Sequence, residues 1–354
     1  MNNIAVKIQN SKVGELFFEK SSRTYGFNYT QDSQLISLIM PYKASTYQWR
    51  EKLHPIFDMN MPEGYLFEIL KNYLNKQYGY IDDFLLFSYL CPNIQGRLTF
   101  ESEFSNTDFN TINLEDILQN DDEDTFVKVV RTFLDKNAIS GVQPKTLALL
   151  RDKESLTTKE YIIKTWGAEY PHLAENEYFC LKAVEKAGVE IPAILLSENK
   201  KFLLVERFNF DENRDEYLGF EEVLGLLGKN KEQKYEGSYE QIAKTIYTVV
   251  ANKREDMRSF YKIVVMSYLL KNGDAHLKNF GILYNNDMSN IRLAPAYDIV
   301  NTVVYFFKDR PALSMFGKKV WFARKELIKF AVRSCYISER NANIYYDECV
   351  EALK

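Results

Sequence analysis

The segment from Met257 to Gly273, MRSFYKIVVMSYLLKNG, is the feature that most restricts the possible folds of this chain. Its apolar residues occur on most sides of a helix rather than on one face, which predicts a helix that is buried nearly all round. A buried helix needs other elements packed against it. The chain can supply them, since 46% of its 354 residues are hydrophobic. We therefore expect a sizeable globular protein with two or three lobes.

The hydrophobic pattern changes along the chain. The first thirty residues alternate apolar and polar positions in IAVKIQ, VGELFFE and YGFNY, which predicts a small antiparallel β-unit, and helical spacing follows from Pro62 to Leu74. LALLRD with EYIIKTW, and IPAILL with FLLVERF, read as strand pairs around one helix that ends at Gly188. Beyond Phe208 the pattern is mainly helical. This order predicts an α+β fold with two lobes.

Charge and cysteine content exclude several classes of function. The net charge of -4 gives no overall positive field, so we expect no direct binding to nucleic acid or an anionic membrane. The four cysteines have no CxxC spacing, which argues against a zinc site or a disulfide framework and favours the reducing cytoplasm. No apolar run approaches the ~20 residues that span a bilayer. The expectation is a cytoplasmic protein without a secretion signal.

Three polar residues follow the buried helix at the ends of apolar runs. They are Asp274, Asn279 and Asp298, in NGDAHLKNFGIL and IRLAPAYDIV, two segments that read as strands with a turn at Asn285 to Asn290 between them. Phosphoryl transfer needs a carboxylate near the attacking hydroxyl and oxygen ligands for Mg²⁺. In this interpretation Asp274 accepts the proton, while Asn279 and Asp298 each hold a metal ion. The alternative is that all three cap turns or a helix, as Asp and Asn commonly do.

The residues on the nucleotide side are predicted independently. Lys164 ends the apolar segment YIIK and can reach the α and β phosphates if Glu177, or alternatively Glu175, orients it. An exposed Lys–Glu pair is the simpler alternative. The backbone after LLVERF, from Glu206 to Phe208, would meet the adenine.

A loop with one Gly and one Pro, SGVQPK, lies just before this region. Its backbone amides can fold over phosphates, although it is a weak match to a glycine loop. The residues predicted to contact the phosphates there are Ser140, Gly141, Val142, Gln143 and Lys145.

Taken together, SGVQPK, YIIK, ENEYFCL, VERF, NGDAHLKNF and LAPAYD resemble the HipA family of serine/threonine kinase toxins, in order and in spacing, over residues 138–300. VGELFFE and the segment from Met61 to Leu70 resemble the amino-terminal subdomain of that family. The resemblance implies a two-lobed, protein-kinase-like α+β fold. Residues 1–110 would form the additional N-terminal subdomain, 111–207 the N-lobe with its phosphate loop, and 208–354 a mainly α-helical C-lobe.

The resemblance also implies a function. Family members studied as toxins use ATP and Mg²⁺ to phosphorylate aminoacyl-tRNA synthetases, which halts translation and is linked to persistence, and a DNA-binding antitoxin often restrains them. Carried over by position, Asp274 is the catalytic base and Lys164 the phosphate contact. His276 would hold the transferred phosphoryl group or have a structural role. The other positions implied are Asn279 and Asp298 for magnesium, Glu206 and Phe208 for adenine, and Lys278 and Glu177 for the nucleotide site.

Two departures from the family pattern concern regulation and partners. The serine that the best-known member autophosphorylates aligns with Ala138, so that modification should be absent, but Ser140 keeps a hydroxyl in the same loop. Autophosphorylation of Ser140 is therefore a hypothesis. Fewer residues follow Asp298 than in the longest relatives, which predicts a shorter helical lobe.

Two other functions stay open. Small-molecule kinases of the aminoglycoside and choline type share the GD, N and D arrangement, although SGVQPK and VERF favour the toxin kinases. A non-catalytic nucleotide-binding scaffold is the second alternative. The segment DRPALSMFGKK, at positions 309–319, is either a docking site for a protein substrate or antitoxin, or a plain loop.

Overall fold

The structure is a computed structural model that describes residues 3–32, 34–61, 75, 79, 82–94, 96–104, 112–113, 145–151, 158–164, 170–211 and 213–354. The chain divides into two compact units. Unit 1 comprises Met1–Gly167, Ile194–Gly219 and Asn286–Met288, and unit 2 comprises Ala168–Ala193, Phe220–Asn285 and Ser289–Lys354. The helix predicted from Pro62, the loop residues 140–143 and Ala138 lie outside the described residues.

Unit 1 begins with the antiparallel β-unit that the alternating pattern predicts. Its strands are β1 (Ile4–Ile8), β2 (Ser11–Glu19), β3 (Thr24–Tyr29), β4 (Tyr47–Arg50) and β5 (Leu98–Glu101), in the order β4-β3-β2-β1-β5. Every neighbouring pair is antiparallel. Ile4, Val6 and Ile8 are fully buried because alternate residues of a strand face the same side. Two helices, α1 (Pro55–Asp58) and α2 (Asp83–Leu90), contribute Phe57 and Phe87 to the same core.

A second sheet of unit 1 carries residues of the predicted nucleotide side. Its strands are β6 (Ile112–Asn113), β7 (Lys145–Arg151), β8 (Thr158–Lys164), β9 (Ile194–Leu196) and β10 (Leu203–Glu206), in the order β6-β7-β8-β10-β9. Both predicted strand pairs, β7 with β8 and β9 with β10, are antiparallel. A short hairpin follows, formed by β11 (Phe210–Asp211) and β12 (Glu216–Tyr217).

Unit 2 contains most of the described helices. They are α3 (Leu173–Lys186), α4 (Val223–Leu226), α5 (Tyr239–Val249), α6 (Lys253–Leu269), α7 (Arg324–Ser334) and α8 (Glu339–Ala352). The predicted buried helix is α6, which the side chain of Asn252 caps and whose residues from Met257 onward are nearly all buried. The predicted helix before Gly188 is α3, and Gly188 has a φ of 75°. This left-handed conformation at the end of a helix favours glycine.

The region after Phe208 is less uniformly helical than its pattern predicts. A three-stranded sheet forms there from β13 (Gly219–Glu222), β14 (Gly281–Tyr284) and β15 (Arg292–Leu293), in the order β13-β14-β15. β14 and β15 lie in the two segments predicted to be strands, and they pair antiparallel, whereas β13 was not predicted. The sheet places NGDAHLKN before β14 and Asp298 after β15.

Helix α3 groups with unit 2, although the sequence-based boundaries assign it to the middle region. Those boundaries, after residues 110 and 207, stay predictions. Within the described ranges, no helix is both long enough and apolar enough to cross a membrane.

Candidate active site

The loop that carries Asp274 follows directly after α6 and is fixed by backbone contacts. The side-chain oxygen of Asn272 accepts a hydrogen bond from the Asp274 amide at 3.2 Å, and the Asp274 carbonyl accepts one from the His276 amide at 2.7 Å. The Gly273 amide donates to the hydroxyl of Thr302 at 2.8 Å. These bonds hold the backbone on both sides of Asp274.

The approach of Thr302 and Asp309 explains why position 273 is a glycine. A β-carbon added to Gly273 would lie 1.9 Å from Oδ2 of Asp309 and 2.7 Å from the hydroxyl oxygen of Thr302. The hydroxyl of Thr302 also donates to the Asp309 carboxylate. A larger residue would therefore displace either the loop or this pair.

Asn279 and Asp298, the two predicted metal ligands, are in contact. Asn279 ends a short 3-10 turn (Leu277–Asn279), where its Oδ1 accepts a hydrogen bond from the His276 amide at 3.0 Å. Its Nδ2 donates to Oδ2 of Asp298 at 3.3 Å. Asp298 has a φ of 54°, a left-handed conformation that Asp tolerates better than most residues. Both side chains are half-buried oxygen donors of the kind that Mg²⁺ prefers, so the pair fits a magnesium site.

Tyr235 contacts the predicted catalytic base. Its hydroxyl donates to Oδ1 of Asp274 at 2.8 Å. Burial raises the pKa of Asp274, and the charges of Asp298 and Asp309 raise it further. The hydrogen bond from Tyr235 and the charge of Lys234 lower that pKa. Tyr235 thus stabilises the ionised form that a general base needs.

His276, which caps the same turn, and Lys278, which lies within it, are both buried. The ring of His276 packs edge-on against Tyr235, with 5.2 Å between centroids. The ammonium group of Lys278 lies 3.8 Å from a carboxylate oxygen of Glu222, and its carbonyl accepts a hydrogen bond from the Tyr297 hydroxyl at 2.8 Å. The contact of His276 with the transferred phosphoryl group and that of Lys278 with the nucleotide stay predictions.

In unit 1, the strand register brings two predicted phosphate contacts together. Lys164 is opposite Lys145 across β7 and β8, and it is opposite Leu203 across β8 and β10. Its side chain is buried, with 3% exposure. Glu206 ends β10 opposite Tyr161, and Phe208 follows two residues later. Residues 140–143 lie outside the described residues.

Glu177, the predicted partner of Lys164, lies on α3 in unit 2. It is 1% exposed and shares the buried face of the helix with Leu181 and Val184. Glu175, the runner-up, instead accepts a contact from His172 at 2.6 Å, and the His172 side chain is largely exposed. Burial of a carboxylate is costly without a polar partner. The pairing of Lys164 with Glu177 stays a prediction.

Several residues that contact the site were not predicted from the sequence. Tyr235 meets Asp274 across 39 positions, and Asn176 bonds to Asn301 across 125. Thr302 and Asp309 support the Asp274 loop. The only available signals were adjacency to predicted residues, such as Asn176 beside Glu177, and the unexplained segment that begins at Asp309.

Comparison with known proteins identifies two domains. Residues 4–101 match the HipA N-terminal domain, and residues 137–354 match the HipA-like C-terminal domain. A Haemophilus influenzae protein named provisionally as a kinase is 32% identical over 48% of this chain and 53% of its own length. The chain therefore spans about half the length of that relative. A Sinorhizobium fredii protein with the same provisional name is 24% identical over 95% of this chain and 86% of its own.

A solved structure shares the fold. It is the HipA toxin of Shewanella oneidensis, in a complex with HipB and its operator DNA. The TM-score is 0.72 at 19% sequence identity, and the match covers 99% of this chain and 90% of the other. The α+β, kinase-like fold predicted from the sequence is thereby confirmed. Because the two domain matches together cover most of the sequence, this chain belongs to the HipA family.

Proposed function

We propose that the protein is an ATP- and Mg²⁺-dependent kinase that phosphorylates a serine or threonine hydroxyl of another protein. The contact between Asn279 and Asp298 is the observation that carries this proposal. It places the Asn279 carboxamide beside the Asp298 carboxylate, each of which carries an oxygen suited to Mg²⁺, and Asn279 lies in the same loop as Asp274. Asp274 is half-buried, so a hydroxyl can reach it, and the hydrogen bond from the Tyr235 hydroxyl favours its ionised form.

The chain's own residues have the following parts in this proposal. Asp274 accepts the proton of the attacking hydroxyl. A positioned base of this kind raises the reaction rate by a factor of ~10²–10⁴. Asn279 and Asp298 would hold Mg²⁺, which would offset the negative charge of the phosphates. Lys164 and the loop from Ser140 to Lys145 would contact the phosphates. Glu206 and Phe208 would contact the adenine.

The kinase activity can be tested by phosphate transfer from radiolabelled ATP to cell-lysate proteins and to small alcohols. We expect labelled protein with the unaltered chain and at least about a hundredfold less with Asp274→Asn or Asp298→Asn. Asp347→Asn is the matched control, since Asp347 is exposed and pairs with Arg324 on the surface. Label on alcohols alone would favour a small-molecule kinase. Nucleotide binding without transfer would indicate a scaffold.

We further propose that the kinase acts as a toxin restrained by a DNA-binding antitoxin. The support is family membership and a fold shared with a HipA toxin seen with HipB and operator DNA. Expression should arrest growth, and Asp274→Asn should relieve the arrest. Phosphoproteomes of cells that express the unaltered chain or Asp298→Ala would show whether aminoacyl-tRNA synthetases are substrates. Equal growth arrest by the unaltered chain and by Asp274→Asn would contradict a kinase-based toxin.

Ser140 is the proposed autophosphorylation site. The support is its hydroxyl in the segment SGVQPK, two residues after Ala138, which replaces the family's serine. Mass spectrometry after incubation with ATP and Mg²⁺ should detect phosphate on the peptide that contains Ser140. Absence of phosphate there, with transfer to other proteins intact, would remove this proposal.

A further inference from the structure

The side chain of Asn176 makes a pair of hydrogen bonds to the backbone of Asn301. Oδ1 of Asn176 accepts from the Asn301 amide at 2.8 Å, and Nδ2 donates to the Asn301 carbonyl at 2.9 Å. Both lengths are typical of good hydrogen bonds. The carboxamide therefore satisfies both backbone groups of one residue, as a neighbouring strand would do.

The two residues that these hydrogen bonds join lie beside different parts of the candidate site. Asn176 lies on α3, directly before the buried Glu177. Asn301 follows Asp298 by three residues, a stretch that spans about 10 Å at most when fully extended. A displacement of α3 that keeps both hydrogen bonds must therefore move the Asp298 segment.

Neighbouring hydrogen bonds restrict the positions of both Asn176 and Asn301. The Tyr305 hydroxyl donates to the Pro171 carbonyl at 3.0 Å, just before α3, and accepts from Nδ2 of Asn176 at 3.4 Å. On the other side, Thr302 adjoins Asn301 and its hydroxyl accepts from the Gly273 amide. Hydrogen bonds thus connect α3 to Asn301 and the loop of Asp274 to Thr302, and the peptide bond between Asn301 and Thr302 joins the two sets.

We propose that Asn176 is a positioning residue that couples α3, with Glu177, to the metal-binding segment around Asp298. The proposal rests on the proposed kinase function, because it assigns Mg²⁺ and nucleotide to that segment. Coupling between two sites is reciprocal. Magnesium–nucleotide binding at Asp298 should therefore stabilise α3, and loosening of α3 should weaken the binding of Mg²⁺.

Hydrogen–deuterium exchange of the full chain with and without Mg²⁺ and ADP tests this coupling. In the unaltered chain, Mg²⁺ and ADP should slow exchange in residues 296–305 and, by at least about fivefold, in α3. In Asn176→Ala the first effect should remain while α3 no longer responds. Leu181 and Val184 are fully buried and should keep α3 folded in the variant.

Two further variants sharpen the test. Asn176→Asp keeps the acceptor for the Asn301 amide but opposes a carboxylate oxygen to the Asn301 carbonyl, so it should also uncouple α3. Lys182→Ala is the control, because Lys182 is an exposed residue of α3 that pairs with Glu185. It should respond as the unaltered chain does.

The outcomes separate this inference from the function on which it rests. If Mg²⁺ and ADP protect α3 equally in Asn176→Ala and the unaltered chain, the coupling is wrong and the nucleotide site stands. If they protect neither segment in the unaltered chain, both the nucleotide site and the coupling built on it are overturned.

Discussion

The hydroxyl of Tyr235 donates a hydrogen bond of 2.8 Å to Oδ1 of Asp274, the residue that we propose as the catalytic base. The same ring lies edge-on against His276. Tyr235 therefore contacts both the proposed base and His276, a buried residue of the same loop. The carboxylate is held in one orientation before a substrate arrives.

Replacement of Tyr235 by Phe removes this hydrogen bond but keeps the ring. We expect kcat for phosphate transfer to fall about tenfold, since a hydrogen bond to a charged group contributes ~1.5–3 kcal/mol. Tyr336→Phe, which changes an exposed tyrosine, should leave kcat unchanged. An unchanged kcat in Tyr235→Phe would show that the bond does not support the reaction.

The same variant should change the pH dependence of kcat/KM. Burial raises the pKa of Asp274 and Tyr235 opposes that rise. A general base acts when deprotonated, so activity is lost as the pH falls through the Asp274 pKa. Without the Tyr235 hydrogen bond this pKa should rise, and the acid limb should move to higher pH. A shift to lower pH would contradict the assignment of Asp274 as the base.

Gly273→Ala should disrupt the catalytic loop. The added methyl group would overlap Asp309 and approach Thr302. Displacement of a catalytic group by about 1 Å can cost roughly a hundredfold in rate, and we expect a loss of that order in kcat. Gly96→Ala is the control, because its added β-carbon meets no atom closer than 3.9 Å. Full activity in Gly273→Ala would show that the loop can move to accommodate the methyl group without a loss in kcat.

Lys262 is a stability determinant in unit 2. Its buried ammonium group pairs with Glu348 of α8 at 2.5 Å and donates to the Ala187 carbonyl, just after α3, at 2.5 Å. Glu348→Ala leaves that charge with one neutral acceptor, so we expect a loss of roughly 2–3 kcal/mol in the free energy of unfolding. In Lys262→Met the partly exposed Glu348 can be hydrated, and the loss should be about 1 kcal/mol.

A double-mutant cycle checks this order. Lys262→Met combined with Glu348→Ala should cost no more than Lys262→Met alone, because the buried charge is then absent. Urea unfolding gives the free energies. The exposed pair of Lys182 and Glu185 provides the control, with an expected effect under about 0.5 kcal/mol for Lys182→Ala. If the losses of the two single variants simply add up in the double variant, Lys262 and Glu348 have no interaction energy and the prediction is wrong.

His54 should make unit 1 sensitive to acid. Burial lowers the pKa of His54 from 6.5 to about 4, and its Nδ1 accepts a hydrogen bond from the Ile56 amide at 3.3 Å. His54 is protonated near pH 6.5 in the unfolded chain but only near pH 4 in the folded chain. Stability should therefore fall as the pH drops through this window, by roughly 3 kcal/mol in total.

His54→Asn should remove this contribution, since Asn also caps helices but does not titrate. The test compares urea unfolding of the two chains at pH 7 and pH 4.5. His172→Asn, at an exposed position, is the control and should keep the dependence of the unaltered chain. An unaltered pH dependence in His54→Asn would show that His54 is not its source.

Much of the fold could be predicted from local pattern. Alternation identified β1 to β3, because burial on a strand repeats every two residues, and the long segment that is apolar on most sides identified the buried helix α6. β14 and β15 lie in the two segments predicted to be strands on either side of the turn at Asn285 to Asn290, whereas β13 was missed because its short burial pattern shows no period. For the site, spacing identified Asp274, Asn279 and Asp298 as one group, and the structure brings Asn279 and Asp298 into contact.

The sequence by itself thus determined the elements, the family, and the order of the candidate catalytic and metal-binding residues. The tertiary structure decided which groups support them: Tyr235 on Asp274, Thr302 and Asp309 against Gly273, and Asn176 on Asn301. The physical reason is distance along the chain. Periodicity and caps act between near neighbours, whereas these contacts join residues 29 to 125 positions apart and exist only once the helices and loops have packed.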